Sequence, residues 1–109
     1  MDIISRADEI LLLAILRLKD DAYGVTIIRE VQRRTGKEIK LGALWVSLDI
    51  LTKRGLLEKR MGEPTPRRGG RSKIYYTLTA EGFDALSSVQ VFNQSLWKGI
   101  PGIIKNSQV

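Results

Sequence analysis

The side chains in this sequence best suited to chemistry are cations. Lys53, Arg54, Lys59, Arg60, Arg67, Arg68, Arg71 and Lys73 crowd one segment, opposed only by Glu58 and Glu63. Residues 53–73 therefore carry the whole formal net charge of +6, because the ten basic and ten acidic residues elsewhere cancel. A cationic excess confined to one segment is the electrostatic footprint of a polyanion binder. A solvated loop is the alternative, and charge alone does not decide between them.

The same inventory excludes a good deal. The 109 residues include no His and no Cys, so the commonest general base, metal ligand and thiol nucleophile are missing. Zinc would have to be held by carboxylates alone. No carboxylates pair on an evident cleft, and Gly69-Gly70 lacks the strand, turn and helix context of a phosphate loop. Neither an enzyme nor a cofactor is expected. With 43% hydrophobic and 28% charged residues, the composition is that of one soluble globular domain. No apolar run reaches the roughly 18 residues of a membrane span. The opening Met1-Asp2-Ile3-Ile4-Ser5-Arg6 has none of the features of a signal peptide. A cytoplasmic protein without a membrane partner is the expectation.

The elements that must position these cations follow from periodicity and punctuation. Ser5 is a helix N-cap with Asp8 three positions on. In residues 9–19, Ile10, Leu11, Leu12, Leu13, Ile15, Leu16 and Leu18 fill more than one stripe, so this helix should be covered both by its own core and by a partner. A second helix is predicted over 23–34, with Val25, Ile28, Val31 and Gln32 at helical spacing, Ile27 beside them, and Gly36 as its stop. Residues 37–40 are short enough to be a piece of strand. A third helix runs from near Gly42 to Gly55 with Leu41, Leu44, Leu48 and Leu51 facing inward. Residues 56–62 and 73–78 read as two strands, and the intervening Pro64, Pro66, Gly69 and Gly70 mark a loop. Thr79 caps a last helix that ends near Lys98, before Gly99, Pro101 and Gly102.

Three helices, a strand, a basic loop, a strand and a helix form the order of a winged helix-turn-helix. The fold expected is mainly α with a two-stranded β-wing and an additional C-terminal dimerisation helix. Residues 1–82 are the DNA-binding part and 83–109 the dimerising part of one compact domain. In this arrangement the third helix enters the major groove of double-stranded DNA and the wing reaches phosphate or a neighbouring groove. Ala43, Val46, Ile50 and Lys53 point away from the leucine stripe. Val46 and Ile50 either meet thymine methyl groups or touch the wing or a partner subunit. Gly42 and Ala43 are small enough for the helix start to approach a phosphate. Trp45 is read as a half-buried packing residue whose indole N–H can still reach a phosphate; Asp49 repels phosphates and is expected either off the contact face or paired with a nearby Lys or Arg. Tyr75 and Tyr76 face opposite sides of their strand, one of them into the core. Arg67, Arg68, Arg71 and Lys73 supply the wing's charge, and Tyr23, Thr26 and Lys40 complete the expected DNA-contacting set.

Residues 85–97 carry no charge, and so apolar a helix would be sticky if left bare. A homodimer interface with the first helix is expected, built from Leu12, Ile15, Leu86, Val89, Phe92, Leu96 and Trp97. Trp97 is read as an interface anchor.

Three stretches then resemble the PadR-like transcriptional regulators. They are Tyr23-Gly24 with Ile27-Ile28; Leu41-Gly42-Ala43-Leu44-Trp45-Val46-Ser47-Leu48 with Leu51 and Arg54-Gly55-Leu56-Leu57; and Gly70-Arg71 with Lys73, Tyr75-Tyr76 and Leu78-Thr79-Ala80-Glu81-Gly82. Trp45 and Val46 stand where the family usually has Tyr and Pro. The resemblance implies a cytosolic repressor that dimerises on a palindromic operator, with the shorter form of C-terminal helical part. It also implies a small aromatic effector at the dimer interface, for which Trp97 would be the pocket wall as the second reading after its role as anchor. The rival reading is a non-catalytic winged helix that binds a protein partner; the charge of the wing favours nucleic acid.

Overall fold

The computed structural model describes residues 3–63 and 73–103. Four helices and one hairpin follow in the order α1 (Arg6–Leu18), a single 3-10 turn (Lys19–Asp21), α2 (Gly24–Thr35), α3 (Leu41–Lys53), β1 (Leu57–Met61), β2 (Ile74–Leu78) and α4 (Ala80–Trp97). This is the winged helix-turn-helix order with an added C-terminal helix. Among the described residues no helix is long and apolar enough to cross a membrane.

Local chemistry sets the ends of these elements. The Ser5 hydroxyl accepts the Asp8 N–H at 3.1 Å, and Asp8 and Glu9 lie in the first turn of α1, where carboxylates meet the positive end of the helix dipole. α2 and α3 stop at the left-handed glycines Gly36 and Gly55. The Thr79 hydroxyl accepts the Gly82 N–H at 3.1 Å at the head of α4 and donates to the Gly55 carbonyl at 2.5 Å. One side chain therefore joins the end of α3 to the start of α4. Gly82 is buried there because a Cβ would strike the Leu56 carbonyl oxygen.

The core lies between α1, α2, α3 and the hairpin. Leu12, Ile15, Ile27, Leu44, Leu48, Leu51 and Leu57 are 2% exposed or less, and each such side chain contributes about 1.5–3 kcal/mol by leaving water. The antiparallel hairpin pairs Leu57 with Leu78, Lys59 with Tyr76, Arg60 with Tyr75 and Met61 with Ile74. Tyr76 turns into the core, and its N–H donates to the Ala22 carbonyl at 2.9 Å, fastening the wing to the entry of α2. At the other end Arg54 reaches Asp8 at 2.9 Å and ties α3 to the head of α1.

Four expectations need correction. Residues 37–40 form no strand; Ile39 instead packs its side chain against the core. The buried face of α2 is centred on Ile27 and Val31, while Val25 is 45% exposed and Gln32 faces water. Leu41 is 48% exposed, because the first turn of α3 runs past the core; its side chain lies against Gly24. Leu12 and Ile15, expected at a dimer interface, are buried in the chain's own core together with Leu86 and Val89.

Candidate nucleic-acid interface

α3 is held by one face and free on the other. Leu44, Leu48 and Leu51 are sealed beneath it, while Gly42, Ala43, Val46 and Ile50 form an exposed stripe. Val46 is 61% and Ile50 49% exposed, so both are available to something outside the chain. Lys40 is the N-cap of α3 and is exposed. At the other end Lys53 pairs with Asp49 at 3.1 Å across one helical turn. An exposed pair of this kind is worth about 0.3–0.5 kcal/mol. Its larger effect is to set a negative charge beside a cation expected to meet phosphate.

Trp45 packs more than it presents. Its ring centroid lies 6.4 Å from that of Tyr76, and its indole stands 3.5 Å from where a Cβ on Gly24 would sit. It wedges the start of α3 against the start of α2 and the wing. Burial, and secondarily the charge of Asp49, push the Tyr76 hydroxyl above its ordinary pKa, so it stays neutral.

The base of the wing carries a second arrangement. Tyr23, the N-cap of α2, meets the Tyr75 ring edge-on with centroids 5.4 Å apart. Lys73 Nζ lies 4.1 Å above the Tyr23 ring, and Arg60 Cζ lies 4.5 Å above the Tyr75 ring. Such cation–ring contacts at exposed sites are worth about 0.5–1 kcal/mol each. Gly62 makes the stack possible, since a Cβ there would stand 2.6 Å from Tyr75 Cε1. The hairpin closes beside it, where the Gly62 N–H donates to the Lys73 carbonyl at 2.7 Å.

The remaining expected contacts divide. Thr26 spends its hydroxyl locally, accepting the Tyr23 N–H at 3.0 Å and donating to the Asp21 carbonyl at 2.6 Å. Its role is to square off the start of α2 and so to seat Tyr23. Arg67, Arg68 and Arg71 lie outside the described residues. Arg60 was missing from the expected set. Its signal is the hairpin register: once β1 and β2 are paired, Arg60 falls opposite Tyr75.

A separate apolar surface lies on α1 and α4. Phe92, Leu96 and Trp97 are 40%, 63% and 54% exposed; Leu13 (40%), Leu16 (39%) and Phe83 (50%), outside the expected interface set, are exposed as well. Leu13, Leu16 and Phe83 line an open groove of about 560 Å³ between the two helices, with Gln90, Asn93 and Gln94 along it. Leu13 and Leu16 sit three apart and share a face of α1 that is contiguous with the buried one, since Leu16 is four residues from Leu12; only exposure separates the two.

Known proteins share this arrangement. Residues 12–88 match the family described as transcriptional regulator PadR-like. No curated protein matches the chain. Among solved structures the chain is similar to RosR of H. salinarum, at 28% identity, covering 90% of this chain and 81% of that one, with a TM-score of 0.70. It is similar to a PadR family transcription regulator from hypervirulent Clostridium difficile R20291, at 26% identity, 87% and 98% coverage and a TM-score of 0.62. It is also similar to a transcriptional regulator from Clostridium thermocellum, at 25% identity, 90% and 92% coverage and a TM-score of 0.68.

Proposed function

The chain belongs to the PadR-like family of transcriptional regulators, a family of regulators and not of enzymes, and from that premise we propose that it represses transcription in the cytoplasm as a homodimer bound to a palindromic operator. The observation that carries the DNA reading is the exposed stripe of α3. Gly42, Ala43, Val46 and Ile50 stand in water on a helix whose opposite face is fixed in the core. A rigid helix with a small, apolar outer face fits the major groove, where Val46 and Ile50 meet thymine methyl groups. The wing cations add affinity through phosphates and carry little sequence information. Residues 1–82 bind DNA and 83–109 dimerise.

The homodimer reading rests on the exposed apolar side chains of α1 and α4: Phe92, Leu96 and Trp97 as anchors on α4, and Leu13, Leu16 and Phe83 along the groove between the two helices. Two copies related by a twofold axis present two α3 helices to two half-sites, and the operator inherits that symmetry. Trp97 is an anchor of this contact; a small planar aromatic effector between two copies would stack on it. The repressor sign is carried over from the family resemblance.

Selection of bound sequences from a random duplex pool tests the reading. An enriched palindrome is the expected product. Absence of any enriched sequence would favour the rival winged-helix module that binds a protein.

A further inference from the structure

Arg60 has no assigned role in reading or anchoring DNA, yet it is among the most deliberately placed cations in the molecule. It lies over the Tyr75 ring, and its Nη2 donates to the Asp20 carbonyl at 3.2 Å. Tyr75 is itself fixed by the edge of Tyr23 and by the bare backbone of Gly62. Lys73, two residues before Tyr75 on the same side of the chain, completes the group above Tyr23. Two cations are thus held by two rings at the junction of α2 and the wing. Tyr23 adjoins Gly24, on which Trp45 and Leu41 of α3 rest, so the group borders the head of the recognition helix.

The way these cations are held matters. Among the described residues, neither Arg60 nor Lys73 pairs with a carboxylate, whereas Arg6, Arg33, Arg34, Lys53 and Arg54 all do. An aromatic face orients a cation without neutralising it. Arg60 is exposed, and a guanidinium with one N–H spent on a carbonyl keeps other N–H groups for a second acceptor. A planar fork of this kind matches the oxygens of a phosphate. Side chains ordered in advance lose less freedom on binding.

Resting on the DNA-binding reading above, we propose that Arg60 contacts the DNA phosphate backbone and that Tyr75 is the positioning residue that aims Arg60 and Lys73 at it. Tyr75 acts through its ring face and not its hydroxyl. The contact is independent of sequence and lies at the base of the wing, beside the α2 entry.

The test is a titration of the full chain, by fluorescence anisotropy, on the selected operator and on a scrambled duplex across a salt series. Arg60→Gln should weaken binding to both duplexes and make the slope of log affinity against log salt shallower by about 0.9 per bound chain. Arg60→Lys keeps the charge and should keep most of the slope. Tyr75→Phe should match the parent, whereas Tyr75→Leu should weaken binding. That loss should vanish when Arg60 and Lys73 are both Gln, since nothing remains to aim. Circular dichroism and a thermal melt accompany each variant. An Arg60→Gln chain with the parent's affinity and slope but a lower melting temperature would make Arg60 a structural brace and overturn the proposal. So would an effect of Tyr75→Leu that persists in the double Gln background. A parent chain that binds neither duplex overturns the DNA reading and this proposal together; a parent that binds, with variants indistinguishable from it, overturns this proposal alone.

Discussion

Four cations of α2 and α3 and two of the wing base are handled in opposite ways. On α2, Arg33 and Arg34 close on Glu30 at 2.7 and 3.0 Å. On α3, Lys53 closes on Asp49 and Arg54 on Asp8. At the wing base, Arg60 and Lys73 rest on tyrosine rings. A carboxylate partner brings a helix together and cancels the field that a cation projects. A ring partner fixes the cation in place and leaves its field intact. The fold therefore spends some of its positive charge on its own assembly and leaves the ring-held charge of the wing base unneutralised, where its field can act on a polyanion.

The largest expected effect tests whether the wing's charge binds DNA at all. Replacing Arg67, Arg68 and Arg71 together with Ala should weaken binding to specific and non-specific duplex alike. The salt slope should become shallower by about 2–3 per chain if all three meet phosphates. Stability should stay within about 0.5 kcal/mol of the parent, as for most surface substitutions. Salt-dependent anisotropy and a denaturant melt measure the two quantities separately, and an unchanged slope would reduce the wing to a solvated loop.

A smaller loss is expected from Gly62→Ala. The added methyl would stand 2.6 Å from Tyr75 Cε1, so the ring must give way and release Arg60. Overpacking of this sort costs about 1–3 kcal/mol, less here to the extent that the ring swings outward. Affinity for any duplex should fall while sequence preference is kept. Lost preference with unchanged non-specific affinity would break the division between anchoring and reading.

The paired cations give the opposite sign. Asp49→Asn removes a negative charge from α3 and frees Lys53, so duplex affinity should rise and the salt slope steepen. Stability should drop by no more than about 0.5 kcal/mol, the value of an exposed pair on a helix. Weaker binding on the same titration would mean that Asp49 positions Lys53 for DNA and does not shield it.

The smallest effect is a pH dependence. Hydrogen bonds from Arg33 and then Arg34 hold the Glu30 carboxyl below its ordinary value of 4.5. A group lowered on folding stabilises the fold above its unfolded pKa and loses that contribution as pH falls through its folded value. Glu30→Gln should therefore melt lower than the parent at neutral pH, and the gap should close as the solution is acidified below about pH 4. A gap of constant size across that range would show that the carboxylate's charge is not what Glu30 contributes.

Much of the fold was legible because its signals are local. Ser5, Gly36, Gly55 and Thr79 end or begin helices in the structure as their types require, and the two strands fall within a residue of their predicted bounds. The leucine stripe of α3 was read correctly at Leu44, Leu48 and Leu51 and wrongly at Leu41, where the core had already ended. α2 misled at Val25 and Gln32, which fit the helical period with Ile28 and Val31 but lie at the edge of the covered face and point to water, while Ile27 takes the centre. Where the covered face ended depended on where α1 and α3 came to lie.

The candidate interface divides along the same line. Periodicity and charge, which one stretch of chain carries by itself, determined that α3 has an outer face and that the wing is basic. They also determined that α4 carries an apolar surface in need of cover. They did not determine that Leu12 and Ile15 are core while Leu13 and Leu16 are surface, since a helix apolar on nearly every side declares no preference. Nor did they distinguish the cations that are neutralised from those that are not. Arg60 and Asp20, Tyr23 and Tyr75, and Arg54 and Asp8 are far apart in sequence and meet only when the hairpin and helices pack. Only the tertiary structure decided these pairings, because the sign and range of a charge's field depend on which group the fold brings beside it.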